Sequence, residues 1–400
     1  MNITWNNSIV GSDPLHKALD ASQKAVAGKS WTPQVVTNLT NAFIDNPAVA
    51  AVSNFSYRYF FSYFQPLFDY IAPISGINGH RTFSLIPLFL EKFLGEYIFY
   101  PSATSGMTKT QKYKETVEGV YNKLKADNAE LLNAKTEENP DGYNYQVNVV
   151  RSNTVNAFAC PAGGMVVYSG IVSELKEALK TTKSADVTLR DGSKIQVDLS
   201  DVTLDDALAA LMGHEMTHVA SRHGMGKMFA NLTFFGLFKG ISYFAISHLK
   251  KNNEEYQKLQ AEQRKSNKVT ERINEIERSY ERINYIADHI FSILRKLLSL
   301  HHSRSCEYEA DVAGIHLANK SGYNPLGAIF LEQVLTDLSI GAIKPEILRT
   351  HPLGEHRKLS ALAAIDQIAP NQLNGKITVR SEAAATSPFF KHLKQKYFPT

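Results

Sequence analysis

His214-Glu215-Met216-Thr217-His218 sets two imidazoles four residues apart, with a carboxylate directly after the first. On an α-helix, positions four apart lie one turn above each other on the same face. Both rings can then reach one divalent cation, with Glu215 beside it. Zinc suits such a pair: it takes imidazole nitrogen at ~2.0–2.1 Å and tolerates an open position for water. Water on such an ion is acidified towards a pKa of roughly 7, and Glu215 can accept its proton. The resulting hydroxide is a nucleophile for a peptide carbonyl, and Glu215 can deliver the proton to the leaving amine. The competing reading is an ordinary surface helix that happens to hold two histidines.

A helix must carry these side chains. Thr203 is placed as its N-cap, Asp205 and Asp206 fall in the first turn, and Leu204, Ala207, Leu208 and Leu211 make an apolar stripe. Gly213 weakens that helix slightly and leaves room for a facing strand. A third donor must come from elsewhere. His301 and His302 are adjacent, so at most one faces the ion. Glu307 and Asp311 are four apart and share a face. Glu307 could bind the metal while Asp311 fixes the tautomer of a ligand histidine. The same two residues also read as a charged pair on a solvated helix, and the residues alone leave both readings open.

The surroundings are globular. The chain has 400 residues, 44% of them apolar and 20% charged, which fits one large domain with elaborations or two domains. A net charge of only +4 argues against a nucleic-acid partner. Two cysteines, Cys160 and Cys306, exclude a disulfide framework. The N-terminus lacks the pattern of a cleavable signal peptide. Met228–Leu249 is the most apolar long stretch but carries Lys239, so a helical hairpin or membrane-surface contact is expected in place of a span. Residues 1–110 form an aromatic-rich N-terminal region, either short helices with aromatics as core or an interfacial membrane anchor.

Val117, Val120, Tyr121 and Leu124 predict a helix within Lys112–Leu132, and Tyr145–Val150 a strand. Asn156–Gly170 reads as strand, Pro/Gly turn, strand, followed by a helix over Ile171–Leu179. Asp191-Gly192 predicts a hairpin over Val187–Leu199. From Val269 to Leu297, apolar residues recur at alternating four and three. This predicts one long helix over Asn252–Ser299, either a self-associating coiled-coil arm or half of a hairpin, running on into Arg304–Lys320. Leu326–Leu338 and Arg357–Ile368 are further helices. The tail after Pro370 has no clear pattern.

HEMTHVASRHG and SRSCEYEAD together resemble the zinc metallopeptidase family that contains the CAAX-prenyl endopeptidase, the bacterial heat-shock membrane protease and the mitochondrial stress-activated inner-membrane protease. NAFACPAGGMVVYSG resembles that family's strand-turn-strand, and Thr350-His351-Pro352 with Arg357 resembles the Thr-His-Pro…Arg segment of its soluble periplasmic-type and mitochondrial branch. The four motifs span about Lys112 to Ile368.

The resemblance implies an α+β, mainly α, zincin-like core with a small mixed sheet, over residues 111–370. The 187–199 hairpin and a 228–300 helical arm are then insertions, and 371–400 a C-terminal tail. It implies one Zn²⁺ per chain on His214, His218 and Glu307, with Glu215 as base. Asp311 and Arg357 stand behind them, and His351 acts as latch or oxyanion stabiliser. Asn156, Ala157 and Phe158 form the strand that pairs with a protein or peptide substrate. His223, on another face, is read as packing, and both cysteines as core. The activity implied is a quality-control or processing endopeptidase, membrane-associated or cytoplasmic. The lack of convincing spans argues against the CAAX-prenyl activity. The alternative is a latched metal-site protein that mainly binds partners, and retention of Glu215 favours the enzyme.

Overall fold

The computed structural model describes residues 88–189, 192–226, 239, 242–243, 246–262, 266–340, 345–351 and 356–380; the side chains of 286–287, 289–305 and 349–350 lie outside this description. The expectations for residues 1–87 and for most of Met228–Leu249 therefore lie outside the described residues, as do the side chains of His301 and His302. The chain divides into two compact units, one of residues 1–226 with 304–400 and one of residues 227–303.

In the first unit, α1 (Leu88–Phe93), a π-helical turn (Leu94–Phe99) and α2 (Tyr100–Thr104) run consecutively. Their inner face carries Glu91, Gly95 and Tyr100. A Cβ on Gly95 would stand 2.2 Å from the Pro161 carbonyl oxygen, so only glycine permits this approach. Tyr100 is buried, while Phe89, Phe93 and Tyr97 face outward, Phe89 at 75% exposure. Among the described aromatics of this stretch, Tyr100 and the partly buried Phe99 thus join a core cluster with Val150, Cys160 and Val166.

Helix α3 (Lys114–Asp127) buries Val117, Val120, Tyr121 and Leu124, the stripe expected from their spacing. The strands β1 (Gln146–Val150), β2 (Ala157–Ala159) and β3 (Gly164–Tyr168) form a sheet of order β1-β3-β2. β1 runs parallel to β3 with Gln146 opposite Gly164, and β2 antiparallel with Ala157 opposite Val167, so β2 is an outer strand. The turn between β2 and β3 is a 3-10 segment, Pro161–Gly163.

α4 (Ser169–Thr181) leads to a second sheet. Here β4 (Ser184–Thr188) and β5 (Lys194–Asp198) pair antiparallel, and β6 (Ile377–Val379) adds to β5 with Ile377 opposite Val197. Residues 377–379 of the tail beyond Pro370 are thereby placed as a strand, and 381–400 lie outside the described residues.

α5 (Leu204–Ala220) begins with a reciprocal cap: Asp206 N donates to Thr203 Oγ1 at 3.3 Å, and Thr203 N to Asp206 Oδ2 at 2.9 Å. The helix was expected to be apolar on one side; it is buried on nearly every side. What faces Gly213 is a helix, not a strand. A Cβ on Gly213 would lie 2.9 Å from Gly314 O, and one on Gly314 2.8 Å from His214 N. α8 (Gly327–Ile340), α9 (Ile347–Thr350) and α10 (Arg357–Ile368) complete this unit.

In the second unit, the single helix expected from Asn252 is interrupted. α6 (Glu254–Ala261) is followed by α7 (Asn267–Lys320), whose C-terminal part belongs to the first unit. Asn253 caps the start of α6, its Oδ1 accepting from Tyr256 N at 2.9 Å, and Ser266 starts a new helix after the break, its Oγ accepting from Val269 N at 3.3 Å. Tyr256, Ile273, Ile276 and Tyr280 form a small cluster between α6 and α7. Farther on, Ile283 is 44% exposed, so the stripe loses its cover there. Among the described residues, no helix is long and apolar enough to cross a membrane.

Candidate metal centre

α5 carries His214, Glu215 and His218 in its last two turns, and α7 crosses it at the Gly213–Gly314 contact. Backbone contact between the helices brings Glu307 and Asp311, two turns and one turn before Gly314, under the imidazoles. The donor atoms of His214, His218, Glu307 and His351 all lie within 4.8 Å of one another.

The individual separations are tighter. His214 Nε2 is 3.0 Å from His218 Nε2, 3.3 Å from His351 Nδ1 and 3.4 Å from Glu307 Oε2. His218 Nε2 is 3.5 Å from Glu307 Oε1, and His351 Nδ1 is 3.1 Å from both Glu307 oxygens. Four donors bonded at ~2.0–2.1 Å to one tetrahedral cation stand about 3.3–3.4 Å apart. Two of these three imidazole ligand atoms and the carboxylate come from α5 and α7, and His351 follows α9. The set fits a small tetrahedral ion without rearrangement.

Behind the donors stands a buried charge network. Asp311 Oδ1 is 2.8 Å from His214 Nδ1. Arg357, at the start of α10, donates to Asp311 from Nε at 2.7 Å and from Nη2 at 2.6 Å. The same Nη2 lies 3.0 Å from Glu332 Oε1 on α8. Burial pushes Glu332 up, and Asp311 adds to this while Arg357 opposes it, leaving its pKa at about 7. Burial would also raise Asp311, but Arg357 holds it below the usual range.

The other groups divide by their neighbours. Burial disfavours charge on His214, yet hydrogen bonds to Asp311 and Glu307 outweigh it and hold the ring at about 10. His218 is pushed well down by burial and by His214. Glu307 is held far below the carboxylate range because hydrogen bonds from His214 and His351 outweigh its burial. Glu215 goes the other way, raised by burial against His351 and His214. Its Oε2 accepts from Ala159 N at 3.0 Å, and its Oε1 lies 3.3 Å from His351 Nε2.

The structure brings His214, Glu215, His218, Glu307, Asp311, His351 and Arg357 together. Ala157 and Phe158 lie on the outer strand β2 beside them, and Asn156 directly precedes it, its carbonyl accepting from Tyr168 N at 3.1 Å. Ala157 is fully buried, and Val155 O accepts from Ile347 N at 3.2 Å, so α9 covers part of this edge. Cys160 and Cys306 are both buried, and burial pushes the Cys160 thiol up to about 11.

Sequence reasoning missed Glu332, which has no motif. It also read His223 as packing alone, whereas His223 Nδ1 stands 2.9 Å from His218 Nδ1. The signal was hidden because Arg222, at φ 55°, leaves the helical path and turns His223 back.

The sequence matches peptidase family M48 over residues 122–365, which includes every donor and both supporting carboxylates. Mitochondrial metalloendopeptidase OMA1 of Arabidopsis thaliana is 26% identical over 226 residues, which cover 56% of this chain and 33% of that protein. The match thus spans about a third of that relative's length. With more than half of the chain matched and the four motifs gathered at one centre, the chain belongs to peptidase family M48.

Proposed function

We propose that the chain is a zinc-dependent endopeptidase in which His214, His218 and Glu307 hold the ion and Glu215 is the general base. The zinc would supply a polarised carbonyl and an acidified water. Glu215 carries the argument. A site that only binds metal needs the donors but not a buried carboxylate raised by burial and held in place by the Ala159 N–H. Asp311 keeps the proton of His214 on Nδ1 and so leaves Nε2 for the ion. Arg357 compensates Asp311 and keeps that carboxylate ionised. The substrate is a protein or peptide, and β2 aligns it as an added strand. Kinship with a protein named a metalloendopeptidase supports cleavage within chains.

The test is casein cleavage with zinc content measured alongside. Glu215→Gln keeps its zinc and loses ~10²–10⁴-fold in kcat. Undiminished cleavage by that variant refutes the base.

A second reading concerns regulation of the same centre. His351 Nδ1 lies among the donors, and the Ile347 N–H occupies Val155 O on the substrate edge. Both favour a latched state that substrate must displace. His351→Ala then raises kcat/KM; a fall places His351 beside the developing oxyanion instead.

A further inference from the structure

We propose that His223 and Glu309 are a positioning pair for His218, performing for that ring what Asp311 performs for His214; this rests on the zinc reading above. On a continued helix, a residue five past His218 would point about 140° away from it. Arg222 prevents this with a left-handed conformation, uncommon for a residue with a Cβ. The turn is held from a separate element: Arg222 Nε is 2.5 Å from Glu91 Oε2 on α1, and Tyr143 Oη donates to Glu91 Oε1 at 3.3 Å. His223 is thereby returned to within 2.9 Å of His218 Nδ1. Its far nitrogen, Nε2, is 3.4 Å from Glu309 Oε2, and Ser221 Oγ donates to Glu309 Oε1 at 2.7 Å.

The proton arrangement follows. A ring that binds an ion through Nε2 carries its hydrogen on Nδ1. That hydrogen points to His223 Nδ1, which must accept, so the hydrogen of His223 sits on Nε2 and faces Glu309. The Cys306 thiol is a further hydrogen-bond partner of the His223 ring; in the chain His218–His223–Glu309 each ring takes this tautomer when His218 binds the ion. Outer partners of this kind typically govern metal affinity.

The experiment measures Zn²⁺ affinity by competition with a chromogenic chelator, in the Glu215→Gln protein so that self-cleavage cannot interfere. His223→Phe keeps the ring volume without the nitrogen; His223→Asn puts an amide oxygen near the Nδ1 position. The pair predicts that the Phe variant loses ~10–100-fold in affinity and that Asn restores most of it. Phe at parent affinity, or Asn falling as far as Phe, overturns the proposal, because packing alone would favour Phe. Should the His223 variants fail to fold, as judged by circular dichroism in chelator, Glu309→Gln decides. Affinity weakened severalfold supports the pair, and unchanged affinity overturns it. A Glu215→Gln protein that binds no zinc refutes the metallopeptidase reading instead, which separates the two failures.

Discussion

One helix, α7, serves two neighbourhoods of opposite character. Near its C-terminal end it touches the backbone of α5 through Gly314, and Glu307 and Asp311 are buried against Arg357 and the imidazoles. Near its N-terminal end it packs on α6 through Tyr256, Ile273, Ile276 and Tyr280, and its charges stay outside. There Arg272 reaches Glu255 at 2.7 Å and Glu275 at 2.8 Å, with all three side chains about half exposed. The bond lengths match those around Arg357, but the consequences do not. Water already solvates the Arg272 group, whereas the Arg357 group has only its protein partners.

Removing Arg357 has the largest expected effect. Arg357→Met strands Asp311 and Glu332 as buried carboxylates and costs ~3–5 kcal/mol in denaturant unfolding. Stability equal to the parent would mean that water reaches them. Crowding the helix crossing comes next. Gly314→Ala puts a methyl 2.8 Å from His214 N, against backbone that cannot yield cheaply. Unfolding free energy falls by ~1–3 kcal/mol, and zinc content falls with it.

A smaller effect appears in the pH dependence. Glu332 has its pKa raised from 4.5 to about 7. The folded state therefore keeps a proton that the unfolded chain gives up. Its stabilising share is complete below about 4.5 and is lost as pH climbs through about 7. Glu332→Gln removes that loss, so its thermal midpoint relative to the parent rises from pH 5 to pH 8; a constant difference would show Glu332 ionised throughout. Smallest of all, Arg272→Ala leaves the thermal midpoint unchanged, and a clear drop would erase the contrast between the two ends of α7.

Local signals carried much of the architecture. Thr203 and Asp206 mark the start of α5, the spacing within HEMTH puts both imidazoles on one face, and Arg357–Ile368 is a helix with the bounds its pattern suggested. What stayed hidden depends on distant or irregular chain. β6 is three residues long and pairs with a strand far earlier in the chain, so neither length nor alternation announces it. The element against Gly213 could not be named from Gly213 alone, since a missing Cβ admits a helix as readily as a strand. The break between α6 and α7 rests on Ser266, one capping residue just ahead of the apolar repeat that starts at Val269. Glu332 resembles any helical glutamate until α8 packs beside α10. His223 depends on one left-handed residue, which no periodicity reveals.

X-ray absorption at the zinc edge of the purified protein reads the metal's ligands themselves. The expected result is one zinc per chain bound by nitrogen and oxygen at ~2.0–2.1 Å, including imidazole scattering from at least two rings. Sulfur scattering at ~2.3 Å, or no bound zinc in protein whose fold is intact, would contradict it.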